Sequence, residues 1–205
     1  MNPASGLKKK TRKAILIVDD ENGVRESLRL ILKPYYEVHT AANGDEALQC
    51  IKKEEIDLVT LDLKMPGMSG MEVLQEIKKI KEDVEVIVVT AFGTPSNAGE
   101  ALFYGAGDFI VKPFDVSDVT AKVDKSLQRR LHSLKIKNLI QEIKDLILLG
   151  ENTKEEKLLA LSKNLCEALE RGEPSSPSGE QVLDFKSEIS QFIQTSVDQT
   201  VKAKS

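Results

Sequence analysis

The 205-residue chain contains only two cysteines, Cys50 and Cys166, and two histidines, His39 and His132. Two cysteines cannot build a disulfide framework, so a reducing cytoplasm is the expected compartment and both thiols are expected to serve packing. No CxxC or Cys/His spacing suits a zinc site. No run of 18 uncharged apolar residues occurs, which excludes a membrane-spanning helix. The apolar stretch Ala14 to Val18 behind the basic N-terminus is too short for a signal-peptide core, so export is not expected. Neither GxxxxGK[ST] nor GxGxxG is present, which removes the two commonest phosphate-cradling loops. Basic excess is missing too. Residues 1–130 hold 19 Lys and Arg against 21 Asp and Glu, and residues 131–205 hold 10 against 12. Neither part has the positive balance of a nucleic-acid-binding domain, and DNA is disfavoured as a partner.

With 40% hydrophobic and 30% charged residues, the composition is that of a soluble globular protein. Its length suits one domain of about 120 to 150 residues plus something smaller. Four apolar bursts stand out: Ala14–Val18, Leu58–Leu61, Val84–Val89 and Phe109–Val111, with a weaker alternating run at Tyr36–Thr40. Short and rich in β-branched residues, they read as strands buried on both faces. Between them lie segments of helical period, opened by Asn43-x-x-Glu46, Ser69-x-x-Glu72, Asp115-x-x-Asp118, and Thr94 followed by Pro95. The first helix, carrying Val24, Leu28, Ile31 and Leu32, has no clean cap. Strand and helix alternate five times, which predicts a doubly wound α/β fold with a five-stranded parallel sheet over residues 14–130.

Before it, residues 1–13 read as a basic flexible tail. After it, the fifth helix has no visible end. Val119, Val123, Leu127, Leu131 and Leu134 form one stripe, and Ile136, Ile140, Ile143 and Ile147 form a second that is shifted in phase. A single straight coiled coil would keep one phase, so the helix is expected to run past the sheet as an exposed amphipathic rod ending near Gly150. Thr153-x-x-Glu156 opens a short helix with Leu158, Leu161, Leu165 and Leu169 on one face. Residues 131–171 are therefore expected to be an α-helical extension, 172–179 a Gly/Pro/Ser linker, and 180–205 an amphipathic helix striped by Val182, Phe185, Ile189, Phe192, Ile193 and Val197. Such helices must bundle, dimerise or dock on a partner.

Asp19 and Asp20 fall at the carboxyl end of the first strand, and Asp62 at that of the third. Open α/β sheets bind ligands in the crevice at those ends. Three converging carboxylates repel one another and call for a cation, and an all-oxygen set without His or Cys suits Mg²⁺ or Mn²⁺. Thr90 and Lys112 bring a hydroxyl and an ammonium to the same rim, from the fourth and fifth strands. Phosphoryl transfer needs this set: a carboxylate nucleophile, a bridging metal and donors for the remaining charge. A lone strand-end Asp is more often a helix cap, but joint placement at the ends of successive strands favours the functional reading.

Ile15-Leu-Ile-Val-Asp-Asp-Glu21, Leu61-Asp-Leu-Lys-Met-Pro-Gly-Met-Ser-Gly-Met71, Val88-Val-Thr-Ala91 and Phe109-Ile-Val-Lys-Pro-Phe114 together resemble the receiver domain of two-component response regulators. The resemblance covers about residues 14–130 and implies strand order 2-1-3-4-5, as in chemotaxis regulators. It implies that Asp62 is the phosphoacceptor, served by a sensor histidine kinase or phosphotransfer protein. Asp19, Asp20 and the Lys64 backbone carbonyl would join Asp62 in holding Mg²⁺ or Mn²⁺. Lys112 would pair with the phosphoryl oxygens, Thr90 would move to contact them, Phe109 would be the aromatic switch, and Phe92 would shield the phosphoryl group from water. No enzymatic activity is expected beyond Mg²⁺-dependent phosphorylation and dephosphorylation of Asp62 itself. Gly99 inside the fourth helix either weakens that element or serves a packing contact. His132 is followed by Ser-Leu-Lys and His39 lies in a strand, so neither matches the phosphotransfer histidine of kinase helices.

The extension resembles no output family, and no helix-turn-helix is recognisable in it. A protein target or a homodimer, engaged through the face of the fourth and fifth helices and the C-terminal helices, is the expected partner. The alternatives are a transcriptional regulator with an unfamiliar DNA-binding tail, and a metal-dependent phosphatase using the same carboxylates.

Overall fold

A computed structural model describes residues 12–91, 93–148 and 155–170. The expected tail at 1–13 falls outside them up to residue 11. Phe92, the helix end near Gly150, the Thr153 cap, the 172–179 linker and the 180–205 helix also lie outside. Contacts divide the chain after Arg130 into two compact units. Among the described residues no helix is long and apolar enough to cross a membrane.

Strands β1 (Ala14–Val18), β2 (Glu37–Ala41), β3 (Leu58–Leu61), β4 (Glu85–Thr90) and β5 (Asp108–Val111) alternate with helices α1 (Asn22–Leu32), α2 (Gly44–Lys53), α3 (Gly70–Ile80), α4 (Pro95–Phe103) and α5 (Val116–Leu148), whose residues up to Arg130 belong to the first unit and the rest to the second. All pairings are parallel, in the order β2-β1-β3-β4-β5. This is the predicted topology.

Strand side chains alternate between two apolar layers, as the period of two requires. Leu16, Val18, Val59, Leu61, Val86 and Val88 pack with Ala47 and Ile51 of α2, Val73, Leu74 and Ile77 of α3, and Ala101 of α4. Ile15, Ile17, Leu58, Ile87, Val89 and Ile110 pack on the other face with Leu28 and Leu32 of α1 and Val119, Val123 and Leu127 of α5. The central strands are buried on both sides, which is why they read as unbroken apolar runs. Only Ala41 of the edge strand β2 is fully buried, which explains its weak alternating signal.

Side chains of Asn43, Ser69 and Thr94 cap α2, α3 and α4, and Ser69 with Glu72 completes a capping box. Helix α1 has no side-chain cap: its N-cap residue, Glu21, makes no such bond. The Lys112–Pro113 peptide bond is cis. Among the described residues, a Cβ built on Gly99 would meet nothing within 4 Å, so no packing contact with them requires that glycine.

In the second unit, α6 (Glu155–Glu170) buries Leu161, Leu165 and Ala168, and Ala168 O accepts a hydrogen bond from His132 Nε2 at 2.6 Å. Leu134, Ile136, Ile140 and Ile143 of α5 are half-buried, while Leu131 is exposed.

Candidate functional site

The register of the sheet builds the site. Val18 of β1 pairs with Leu61 of β3, so the next residues, Asp19 and Asp62, leave the sheet side by side. Their amides are fixed by neighbouring strands: Asp62 N donates to Val18 O at 2.9 Å and Asp19 N to Ala41 O at 3.2 Å. On the other side Thr90 pairs with Val111, and Lys112 follows, its amide donating to Thr90 O at 2.9 Å. The fold thus brings Asp19, Asp62, Thr90 and Lys112 to the carboxyl rim of four adjacent strands.

The Lys112 ammonium lies 2.7 Å from Asp19 Oδ2 and 2.7 Å from Asp62 Oδ2, with Glu21 Oε1 at 3.5 Å. It donates a hydrogen bond to Asp62 Oδ2. The same ammonium forms an ion pair with the buried Asp19 Oδ2, so it stands between two carboxylates. Backbone amides hold the other oxygens: Glu21 N donates to Asp19 Oδ1 at 2.9 Å, and Lys64 N to Asp62 Oδ1 at 3.1 Å. Burial pushes the Asp19 carboxyl above its ordinary value, against the pull of Lys112. Burial alone would lower Lys112, but its contacts with Asp19 and Asp62 outweigh that and raise it, so it stays a cation.

Asp20 is exposed, and its carboxylate completes a trio with Asp19 and Asp62 whose ligand atoms lie within 4.8 Å of one another. Three carboxylates against one close ammonium leave an excess of negative charge, and a set of hard oxygen donors of this kind fits Mg²⁺ or Mn²⁺. Thr90 is fully buried, Lys64 is exposed, and Phe109 is half-buried against the layer of α2, α3 and α4. Two further residues bear on the site without having been singled out from sequence. Glu21 adds a fourth carboxylate, and the signal for it was a third consecutive acid after β1. Gly70 packs against the backbone of Asp62, a contact across the loop that no local pattern announces.

The family model of the response regulator receiver domain matches residues 15–124. Sporulation initiation phosphotransferase F of Bacillus subtilis is 43% identical over 114 residues, covering 55% of this chain and 92% of that protein. A Cyanophora paradoxa protein named "Probable transcriptional regulator ycf27" is 42% identical over 120 residues, 58% of this chain and 49% of its own length. The chain thus spans about half the length of that relative. Among solved structures, a CheY-like receiver domain protein from Methanospirillum hungatei JF-1 superposes with a TM-score of 0.57 at 34% identity, covering 58% of this chain and 97% of that one.

Proposed function

The chain belongs to the response regulator receiver domain family, and from that premise we propose that residues 14–130 form a Mg²⁺-dependent phosphoacceptor switch centred on Asp62. Its donor is a phosphohistidine on a sensor histidine kinase or phosphotransfer protein, and its compartment is the cytoplasm. One observation carries the reading: Lys112 Nζ stands 2.7 Å from both Asp19 and Asp62 at the mouth of the carboxylate trio.

The Lys64 amide and the Lys112 ammonium orient the Asp62 carboxylate from opposite sides. With Oδ1 held by the amide, Oδ2 attacks phosphorus. The Asp62 O–P bond forms, the P–N bond to the donor imidazole breaks, and the imidazole leaves with the electron pair and picks up a proton. Lys112 then moves its charge from the carboxylate to the phosphoryl oxygens, over a distance of one hydrogen bond. Asp19, Asp20, Asp62 and the Lys64 carbonyl are the residues that would hold Mg²⁺ or Mn²⁺, which when bound supplies charge neutralisation of the phosphoryl oxygens. The Thr90 hydroxyl, buried at the end of β4, turns toward the new anion and leaves space that Phe109 fills.

Past residue 130, α5 continues to Leu148 and α6 spans Glu155–Glu170. In this reading they carry the output, as a dimer seam or protein-binding surface reached from α4 and α5. The relative named as a transcriptional regulator lends no support to a DNA-binding tail here, because the shared segment is about the length of the receiver alone.

Intact-protein mass spectrometry after incubation with Mg²⁺ and acetyl phosphate tests the acceptor. One phosphoryl increment is expected, lost in Asp62→Asn and with EDTA. A full increment in Asp62→Asn would sink the assignment. Light scattering with Mg²⁺ and beryllofluoride then tests the output: a dimer that Asp62→Asn cannot form supports self-association, and an unchanged mass directs the search to a protein target.

A further inference from the structure

The joint between β1 and α1 carries two of the three acidic side chains of the site, yet it is built unlike the corresponding joints of α2, α3 and α4. Those helices are fixed to their loops by the side chains of Asn43, Ser69 and Thr94. Helix α1 has no side-chain cap. Its loop is held from inside the helix instead. Arg25, half-buried on the first turn, reaches back so that its Nη1 donates to Asp19 O at 2.6 Å and to Asp20 O at 2.9 Å, while Nη2 donates to Asn22 Oδ1 at 3.2 Å.

Asp19 and Asp20 lie just past β1, where the ladder that satisfies strand carbonyls has stopped. An adjacent pair of residues in extended chain would point its side chains to opposite faces. Both carboxylates meet Asp62 only because the chain turns here, and the turn leaves two carbonyls to be satisfied. One guanidinium nitrogen, Nη1, answers both carbonyls while Nη2 ties the same rigid plane to Asn22 Oδ1, a two-nitrogen grip that a single ammonium does not reproduce.

We infer that Arg25 is a positioning residue for the metal-binding loop: by clamping the carbonyls of Asp19 and Asp20 it holds their carboxylates in the arrangement that takes a divalent cation. The inference rests on the Mg²⁺-dependent reading above. It is separable from a mere charge effect, because the two act with opposite sign. As a charge, Arg25 opposes cation binding, and its removal would tighten the site. As a clamp, it preorganises the carboxylates, and its removal weakens the site. Groups that orient metal ligands contribute about 10- to 100-fold to affinity.

Mg²⁺ titration by calorimetry on the full chain, wild type against Arg25→Gln and Arg25→Lys, decides between them. The expected result is a dissociation constant about 10- to 100-fold weaker in Arg25→Gln, with Arg25→Lys recovering only part of the loss. In metal-free protein, hydrogen exchange at the Glu21 amide, which donates to Asp19 Oδ1, should speed up in both variants while exchange in β3 and β4 does not change. Unchanged or tighter Mg²⁺ binding in Arg25→Gln would overturn the inference. General loss of protection in β3 and β4 in both variants would also overturn it, by making Arg25 a stability residue. If wild-type protein takes up no Mg²⁺, the phosphoacceptor reading fails first and this one with it. If wild type binds Mg²⁺ and the variants match it, only the role of Arg25 fails.

Discussion

A Cβ on Gly70 would stand 2.0 Å from the backbone oxygen of Asp62 and 2.6 Å from the Cα of Leu63. The first turn of α3 is therefore seated directly on the peptide that carries the central carboxylate, and Gly70 N closes the contact by donating to Leu63 O at 2.9 Å. No side chain can enter without moving backbone, because no flexible group is there to yield. Gly70→Ala should destabilise the first unit by about 3 kcal/mol, the upper range for overpacking. It should also slow acetyl phosphate labelling of the molecules that remain folded. Urea unfolding and mass spectrometry on one preparation check both, and an undiminished labelling rate would show that the loop carrying Asp62 tolerates the shift.

Lys112 is the ammonium between two buried carboxylates, and Lys112→Met would leave Asp19 and Asp62 facing each other. Breaking a fully buried pair costs about 3 to 5 kcal/mol, and the crevice mouth reduces that here to about 2. The loss should appear in metal-free protein and shrink when millimolar Mg²⁺ is added, since the cation replaces the missing charge. Thermal unfolding with EDTA and with Mg²⁺ gives the comparison. Equal destabilisation in both buffers would mean that the cation and Lys112 do not share these carboxylates.

How far the residues alone carried this picture depends on the range of each interaction. The central strands were legible because burial on both faces removes polar residues from Ile15 to Val18 and from Val86 to Val89. Edge strand β2 was weaker because only Ala41 is fully buried. Asp19, Asp62, Thr90 and Lys112 could be named because each follows or ends a strand, and parallel register does the rest. Contacts made across the fold gave no such signal. The ammonium of Lys13 and the guanidinium of Arg130 converge on Asp57 at 3.0 and 2.5 Å, tying the starts of β1 and β3 to α5, and nothing local to any of the three announces it. The reach of Arg25 back to its loop is equally silent, since an arginine in a first helical turn usually meets water.

Thr60, two residues before Asp62, is 1% exposed, and its hydroxyl has no hydrogen-bond partner among the described residues. Replacing a buried hydroxyl that lacks a partner by a methyl of the same shape removes a desolvation cost. Thr60→Val should stabilise the first unit by about 1 kcal/mol, read as a higher urea midpoint, with phosphoryl labelling of Asp62 unchanged. A lower midpoint would mean that the hydroxyl is satisfied in solution.

Gly99 lies inside α4 with open space where a Cβ would be. Gly99→Ala should therefore stabilise this helix, by about 0.5 to 1 kcal/mol. If α4 is a moving part of the switch, the same change should weaken the light-scattering response to beryllofluoride while Asp62 is still labelled. A stabilised protein with a full response would remove flexibility of α4 from the mechanism.

Tyr36, just before β2, donates its hydroxyl proton to Asp124 of α5 in a short hydrogen bond. Burial, then this bond and the nearby carboxylate charge, raise the phenol above its ordinary value of about 10. The sign follows from which state loses its proton first. Unfolded Tyr36 ionises as pH passes 10 while the folded phenol keeps its proton, so the unfolded chain binds fewer protons and stability falls with rising pH. The contribution is complete below about pH 9 and drains away above it. Lys78 acts in the opposite sense: burial lowers its ammonium below 10.5, so its contribution grows as pH rises toward that value. Because both groups titrate in the same alkaline range, the difference between wild type and Tyr36→Phe isolates the phenol. The variant should be less stable near neutrality by about 0.5 kcal/mol, a hydrogen bond discounted for its partial exposure. The two urea midpoints should converge between about pH 9 and 11. Curves that stay parallel across that range would mean that the bond to Asp124 does not persist in solution.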